Sequence, residues 1–291
     1  MPCPSPSPSA PEPSNRPPSW RAKAIRWGWR SVAVAFAAGA TYLGGCFLAL
    51  LVYGWVFPPI TGVQVQRSLE ASVGSATHSR HYEPLPFTKI DPALPLAVVA
   101  AEDSRFFLHG GIDWVEVGNA IEAYRNGEEL RGASSITQQL VKNLFLTTHS
   151  SYFRKGVEVP LTYAAELLLS KRRILELYLN VIEWGPGVYG VEAAAEYHYG
   201  SSARSLSRYR AAALAACIPA PRTRQPQRVG QYLYVILRRM NQIGQLPISE
   251  LSPSGAPSER SVSGLSVADV RVASPRFLTT PPPTGIPERP R

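Results

Sequence analysis

The stretch Leu94-Pro95-Leu96-Ala97-Val98-Val99-Ala100-Ala101-Glu102-Asp103-Ser104-Arg105-Phe106-Phe107-Leu108-His109-Gly110-Gly111 decides how this chain is read, together with Gly132-Ala133-Ser134-Ser135-Ile136-Thr137-Gln138-Gln139-Leu140-Val141-Lys142-Asn143 a short way on. An apolar helical run delivers two adjacent carboxylates, Glu102 and Asp103, to its C-terminal end, just ahead of aromatics, a histidine and a glycine pair. A helix C-terminus carries partial negative charge, so an acid there holds its proton more firmly than one in water. That suits proton transfer. Most helix-end acids are solvated surface groups, and for this pair taken alone that plainer reading is the stronger.

The company changes the balance. Glu102-Asp103-x-x-Phe106-x-x-His109-x-Gly111 is followed by Gly132-x-Ser134-Ser135-Ile136-Thr137-Gln138-Gln139-Leu140-x-Lys142-Asn143, then Arg154-Lys155-x-x-Glu158, then Lys171-x-x-Ile174-Leu175-Glu176-x-Tyr178-Leu179-Asn180. In this order within one domain length, the motifs resemble the peptidoglycan glycosyltransferase domain of glycosyltransferase family 51, in its short, membrane-anchored form. The resemblance covers roughly Pro84 to Gly244 and implies a mainly helical, lysozyme-like fold. It also implies a reaction: polymerisation of lipid II, a lipid-pyrophosphate disaccharide, into glycan strands for the cell wall.

What the resemblance implies for single residues follows from that chemistry. Glu102 is the base that takes the proton from the 4-hydroxyl of the incoming lipid II. The growing strand, still on its lipid pyrophosphate, is the donor, and in-line attack inverts its anomeric carbon without a covalent glycosyl-enzyme. Arg154 and Lys155 neutralise the departing pyrophosphate, while Glu158, the second catalytic carboxylate, holds them or a divalent cation, Mg2+ or Mn2+, in place. By itself Arg154-Lys155-x-x-Glu158 reads as a solvated helix salt bridge, because its members lie about one turn apart. Ser134, Thr137, Gln138, Gln139 and Lys142 are placed to donate to sugar hydroxyls and phosphate, and Asp103 to orient the loop they share. His109 reads as a satisfied structural histidine rather than a second base.

Three features depart from the family pattern. Gly132-Ala133-Ser134-Ser135 stands where Gly-Gly-Ser-Thr is usual, so one glycine is lost. Pro160, two residues past Glu158, predicts that a helix starts or kinks there. Upstream of Val235-Ile236-Leu237-Arg238-Arg239-Met240 the usual arginine is missing, and Arg228, about two turns earlier, is the candidate replacement.

Outward from the motifs, 291 residues allow one good-sized domain plus accessory segments. The 28 prolines crowd the two ends, which predicts disordered Pro/Ser-rich tails over residues 1–20 and 248–291 around a domain at 62–247. From Ser31 to Phe57 no residue is charged. That exceeds the roughly twenty apolar residues that span a bilayer, and it is too long for the apolar region of about 7–15 residues in a cleaved signal peptide. Arg21, Lys23, Arg26 and Arg30 precede the span, and no Lys or Arg follows it before Arg67. The expected topology is therefore a single pass through the inner membrane, with the N-terminus cytoplasmic and the domain periplasmic. Ala40-x-x-x-Gly44 with Gly45 presents small residues that can pair helices, although small residues are common in such spans.

The net charge of +9 suits an anionic lipid or a pyrophosphate-linked substrate beside a bilayer better than nucleic acid. Cys3, Cys46 and Cys217 form no disulfide framework, and no Cys/His spacing suggests zinc.

Through the domain, the signals are helical. Asp91 caps a helix that ends near Glu102, unless Pro95 marks its start. Asp113 opens a helix with Val117, Ala120 and Ile121 on one side, closed by Asn126-Gly127. Ser135-x-x-Gln138 has the form of a capping box, which makes Gln138 a structural candidate as well. Ser170 caps the next helix, and Trp184-Gly185-Pro186-Gly187 makes a turn. Tyr189 to Tyr199 and Leu206 to Ile218 read as two more helices. Leu144 to Tyr152, an apolar turn and then a polar loop, is expected to face the bilayer where the substrate enters.

Three functions compete on these grounds: the polymerase, a lysozyme-like lytic enzyme that shares a catalytic glutamate, and an inactive anchored scaffold that binds lipid II. The remainder after Gly244 is far shorter than an ordinary domain, so transpeptidation is expected from a separate partner.

Overall fold

A computed structural model describes residues 19–73, 80–127, 132–149 and 151–247. Apart from Ser19 and Trp20, the tails expected at 1–20 and 248–291 fall outside these residues, as does Cys3. Cys46 and Cys217 are buried free thiols.

Ten helices carry the fold among the described residues: α1 (Ser19–Tyr53), α2 (Gly62–Val73), α3 (Ala93–Glu102), α4 (Trp114–Arg125), α5 (Ile136–Phe145), α6 (Tyr152–Leu168), α7 (Lys171–Val181), α8 (Val191–Tyr199), α9 (Arg208–Ala215) and α10 (Tyr232–Ile243). Three short strands, β1 (His81–Tyr82), β2 (Glu183–Gly185) and β3 (Val188–Tyr189), form one small sheet in the order β1-β3-β2. The mainly helical expectation holds.

At the centre lies α3. Every residue from Ala93 to Ala100 is buried, and a helix that is apolar all round belongs in a core rather than on a surface. The alanines Ala211–Ala213 and Ala215 of α9 are buried around it, and Leu233, Ile236 and Met240 of α10 complete the packing. Asp91 caps α3 by accepting the Ala93 N–H at 2.9 Å, and Pro95 lies inside the helix. On the other side α5 packs between α6 and α7. Its capping box is formed as expected, Ser135 accepting from Gln138 N and Gln138 accepting from Ser135 N.

Several boundaries differ from the sequence reading. Tyr189 is in β3, because the Trp184 to Gly187 turn closes a tight hairpin, and Gly190 opens α8 at φ 84°. Nothing but glycine fits there: a Cβ would sit 2.9 Å from the Asn180 carbonyl. α9 begins at Arg208, capped by the Ser207 hydroxyl. α6 neither begins nor ends at Pro160; it starts nine residues' worth of sequence ahead of Leu161, at Tyr152, and runs through to Leu168 with Pro160 exposed. No residue of α4 is buried, and Ile121, expected to pack, is 47% exposed.

α1 contains the helix that is long and apolar enough to cross a membrane, Lys23–Tyr53, with mean hydropathy 1.8. It starts ahead of Ser31 and ends before Phe57. Its last turns join the domain core, where Cys46 and Leu50 are buried. The Tyr42 hydroxyl donates to the Phe145 carbonyl at 2.6 Å, and Tyr53 stacks on Phe145. From α7, Arg173 donates to the carbonyls of Tyr53 at 2.7 Å and Val56 at 2.6 Å, satisfying acceptors that a helix C-terminus leaves open. Leu144 and Leu146 are buried in the same region, and Thr148 is tied to Gln66 of α2. The apolar half of the segment expected to dip into the bilayer is thus used inside the protein.

Candidate active site

Glu102 is the last residue of α3, and three other elements reach it. Gln139 of α5 donates from Nε2 to Glu102 Oε2 at 2.8 Å, while its Oε1 accepts the hydroxyl of the fully buried Tyr178 from α7 at 2.8 Å. Tyr178 thereby orients the amide so that its N–H faces the carboxylate. Among the described residues no hydrogen bond engages the other oxygen of Glu102. Burial raises the Glu102 pKa above its ordinary 4.5, as does the nearby Asp103 charge, while Gln139, Lys142 and Arg224 oppose the rise. A glutamate in this state takes up a proton more readily near neutrality than a solvated one.

The end of α3 is braced by groups the sequence reading missed. From α10, the Tyr232 hydroxyl donates to the Ala101 carbonyl and Arg239 donates to the Ala100 carbonyl, each at 3.2 Å. These are last-turn acceptors of α3, and the guanidinium offsets the partial negative charge there. Arg224, whose charge acts on Glu102, donates to the Ala216 carbonyl beyond α9. Arg224 is thus a second candidate beside Arg228; both are exposed, and Arg228 lies in a short turn before α10. The run Arg222-Thr223-Arg224 carried too many basic candidates for spacing alone to choose among them.

Asp103, expected to meet substrate and orient the loop, faces inward. One oxygen accepts the Ile136 N–H at 3.0 Å at the start of α5, and both oxygens lie 3.1 Å from Nε2 of His109, which donates to them. Asp103 is thus a clamp between the two motifs, and His109 is its partner. Ser135 adds a second tie by donating to the Gly111 carbonyl. Gly111 itself has φ 97°, and a Cβ there would lie 2.8 Å from Thr162 of α6.

Thr137 and Gln138 were expected at the substrate as well. Thr137 is fully buried and donates to Glu166, which is also paired with Lys171 at 2.8 Å, and Gln138 is consumed by the capping box. Their hydroxyl and amide work within the fold because these two positions of the first turn of α5 point into it, whereas Gln139 and Lys142 lie three apart on the open side.

Ser134, Lys142, Arg154, Lys155 and Glu158 do converge. Glu158 of α6 is buried, with one oxygen 2.8 Å from Arg154 and the other 2.5 Å from Lys155. Lys155 also reaches the Ser134 hydroxyl at 3.4 Å, and Arg154 donates to the His149 carbonyl at 2.8 Å. Lys142 joins this cluster to Glu102: burial lowers its pKa from 10.5, the charges of Glu158 and Glu102 raise it, and those of Arg154 and Lys155 lower it further. Among the described residues no hydrogen bond or ion pair engages Lys142. Three cations around one occupied carboxylate, near a glutamate whose hold on a proton is raised by burial, can receive an anionic group.

That donor set does not fit a divalent ion held by the protein. Both Glu158 oxygens are taken by cations, and Mg2+ prefers several oxygen ligands with carboxylate charge to match its own. Among the described residues the only group of three metal-type ligands is Asp103, His109 and Asp113, away from Glu158. There Asp113 is already spent on Arg105 and on the N-terminus of α4.

Residues 69–243 match the Transglycosylase family. The chain belongs to the transglycosylase family. Among its relatives, the "Biosynthetic peptidoglycan transglycosylase" of Pseudomonas putida is 41% identical over 207 residues, covering 70% of this chain and 88% of its own. The proteins of the same name from Chromohalobacter salexigens and Shewanella oneidensis are 40% and 38% identical, and each match covers 95% of the relative's length. The transglycosylase domain has the lysozyme-like helical fold expected above, and the match begins within α2 and ends at the last residue of α10.

Proposed function

We propose that this transglycosylase polymerises lipid II into glycan strands for the cell wall, with Glu102 as the base and Lys142, Arg154 and Lys155 as the pyrophosphate-binding cations. The protein is a peptidoglycan glycosyltransferase. The observation that carries the residue assignment is the shared position of Lys142, whose charge acts on both Glu102 and the Glu158 cluster.

In this reaction the acceptor 4-hydroxyl gives its proton to Glu102 as its oxygen bonds to the donor's anomeric carbon. The bond from that carbon to the pyrophosphate oxygen breaks, the electron pair leaves with the pyrophosphate, and the centre inverts. Gln139 fixes one carboxylate oxygen and leaves the other to meet the hydroxyl. Glu158 does no proton transfer in this scheme. It holds Arg154 and Lys155 at their stations, so that little reorganisation is needed as negative charge builds on the leaving group. No step of this scheme uses Mg2+ or Mn2+, because both Glu158 oxygens are held by cations of the protein itself. Chelation is accordingly expected to leave the melting temperature of the substrate-free enzyme unchanged.

A lytic enzyme needs no cationic leaving-group site, and the Arg154, Lys155 and Lys142 cluster speaks against it. Incubation of the full-length protein with labelled lipid II, and separately with preformed cell wall, tests the function: polymer supports it, whereas fragments or binding without turnover overturn it. Arg21, Lys23, Arg26 and Arg30, in the first half of α1 ahead of its uncharged run, support an N-terminus in the cytoplasm and a periplasmic domain at the inner membrane.

A further inference from the structure

α2, the β2-β3 hairpin and the segment after α9 line a cavity of about 220 Å³ that shares no residue with the active site. Arg67, Arg80 and Arg222 face it, along with Glu70, Glu183 and Tyr189. Three guanidinium groups against two carboxylates leave one positive charge in excess. The pairing inside is uneven. Arg67 takes both acids, at 2.7 Å to Glu70 and 3.3 Å to Glu183. Arg222 comes no nearer to Glu183 than 4.0 Å, beyond hydrogen-bond range.

Arg80 meets no carboxylate among the described residues. Its guanidinium donates to the Pro59 carbonyl at 3.1 Å and to Gln64 Oε1 at 3.2 Å. Tyr189 is 2% exposed, and its hydroxyl has no hydrogen-bond partner among the described residues. The Gln64 amide nitrogen behind Arg80 is likewise buried and unpaired among them. Buried donors of this kind are normally satisfied. Two guanidinium groups with unspent N–H donors, an orphan phenol and one surplus charge match a singly charged phosphodiester, whose oxygens accept the planar guanidinium fork.

The position of the cavity says where such a group comes from. Arg80 and Tyr82 hold the carbonyls of Pro59 and Pro58, which follow the membrane-crossing helix almost at once. Between them and the helix end Trp55 is 82% exposed and Val56 is open, and Ile60, just past Pro59, is open as well. Exposed aromatic and aliphatic side chains at the end of a span belong at headgroup level. We propose that this cavity binds the phosphate of an anionic phospholipid headgroup, through Arg80, Arg222 and the Tyr189 hydroxyl, and so fixes how the domain sits about α1. The proposal rests on α1 crossing the membrane and is independent of the lipid II chemistry.

The test uses the full-length protein in nanodiscs holding equal amounts of phosphatidylglycerol and phosphatidylcholine, with the retained lipid counted by native mass spectrometry. Phosphatidylglycerol is expected to be retained in preference. The Arg80→Ala/Arg222→Ala double variant should hold it about tenfold less well, the loss that corresponds to one order of magnitude in affinity. Tyr189→Phe, which keeps the shape and removes only the hydroxyl, should fall between, and all three proteins should polymerise lipid II in detergent at the same rate. Equal retention of the two lipids, or undiminished phosphatidylglycerol on the double variant, overturns the proposal. So does protection of the β2-β3 hairpin from hydrogen exchange by inorganic phosphate with no phospholipid retained, since that assigns the cavity to a solution anion.

Discussion

Glu102 sits where a carboxylate is least comfortable, partly buried at a helix C-terminus with Asp103 beside it, and its raised pKa records that. Its folded-state pKa lies above the unfolded value, so folding takes up a proton. Stability is therefore lost as pH rises from the free carboxylate range through the folded pKa. At neutral pH the uncharged Glu102→Gln variant escapes this penalty. It is expected to polymerise lipid II at least about a hundredfold more slowly, the lower range for loss of a general base, and to melt at a higher temperature than the parent. Thermal melts run beside the polymerisation assay check both. The acid limb of kcat/KM reports the same group, because the base must be ionised to act. Gln139 and Arg224 both hold that pKa down. Gln139→Ala and Arg224→Ala should each move the limb to higher pH, whereas Arg228→Ala should leave it in place. A pH-rate profile showing the reverse order for the two arginines gives the role to Arg228.

Between elements, the motifs act as fasteners before they act as chemistry. Asp103 joins the end of α3 to the start of α5 through the Ile136 N–H and holds His109, and Ser135 joins the same α5 start to Gly111. Asp103→Ala leaves a buried N–H and an imidazole without an acceptor. Urea denaturation should show a loss of about 2–6 kcal/mol, a sum over two buried donors each worth roughly 1–3 kcal/mol when unsatisfied. This explains why only part of the second motif faces substrate. The sequence shows which residue types are present, but α5 turns about 100° per residue. Thr137 and Gln138 point inward, while Ser134, Gln139 and Lys142 are left on the side of the charged cluster. The capping box at Ser135 and Gln138 was legible because it is a local signal of fixed spacing. The use of Tyr178, from the fourth motif, to aim Gln139 was not legible, because the two meet only when α7 packs on α5.

For the molecule as a whole, the long apolar helix α1 and the domain pack together at their junction. Cys46 and Leu50 lie in the core, and Arg173 holds the carbonyls of Tyr53 and Val56 while pairing with Glu176, which in turn accepts the Phe87 N–H at 2.6 Å. Arg173→Ala removes two carbonyl contacts and strands Glu176. The expected cost is about 1–3 kcal/mol in the stability of the full-length protein, read from its melting in detergent. An unchanged melting curve would mean that the tether and the domain are coupled by apolar packing alone. With α1 anchored as proposed, coupling at this joint would fix the active site relative to the bilayer that carries the lipid-linked substrate.

The order and spacing of the motifs, the apolar span and the helix caps were settled by the sequence alone, because each depends on residues close together in the chain. The assignment of Glu102 to a helix end was also local, as an apolar run with no polar face can only be buried. What waited for the tertiary structure was what is made across elements: the charge of Arg224 near Glu102, Asp103 and Thr137 turned inward, Glu158 filled by its own cations, and Arg67, Arg80 and Arg222 gathered around one cavity. Side-chain type and spacing say what a group can do. Whether it faces substrate, solvent or another helix is decided by packing between distant segments, and the linear order of residues does not encode that distance directly.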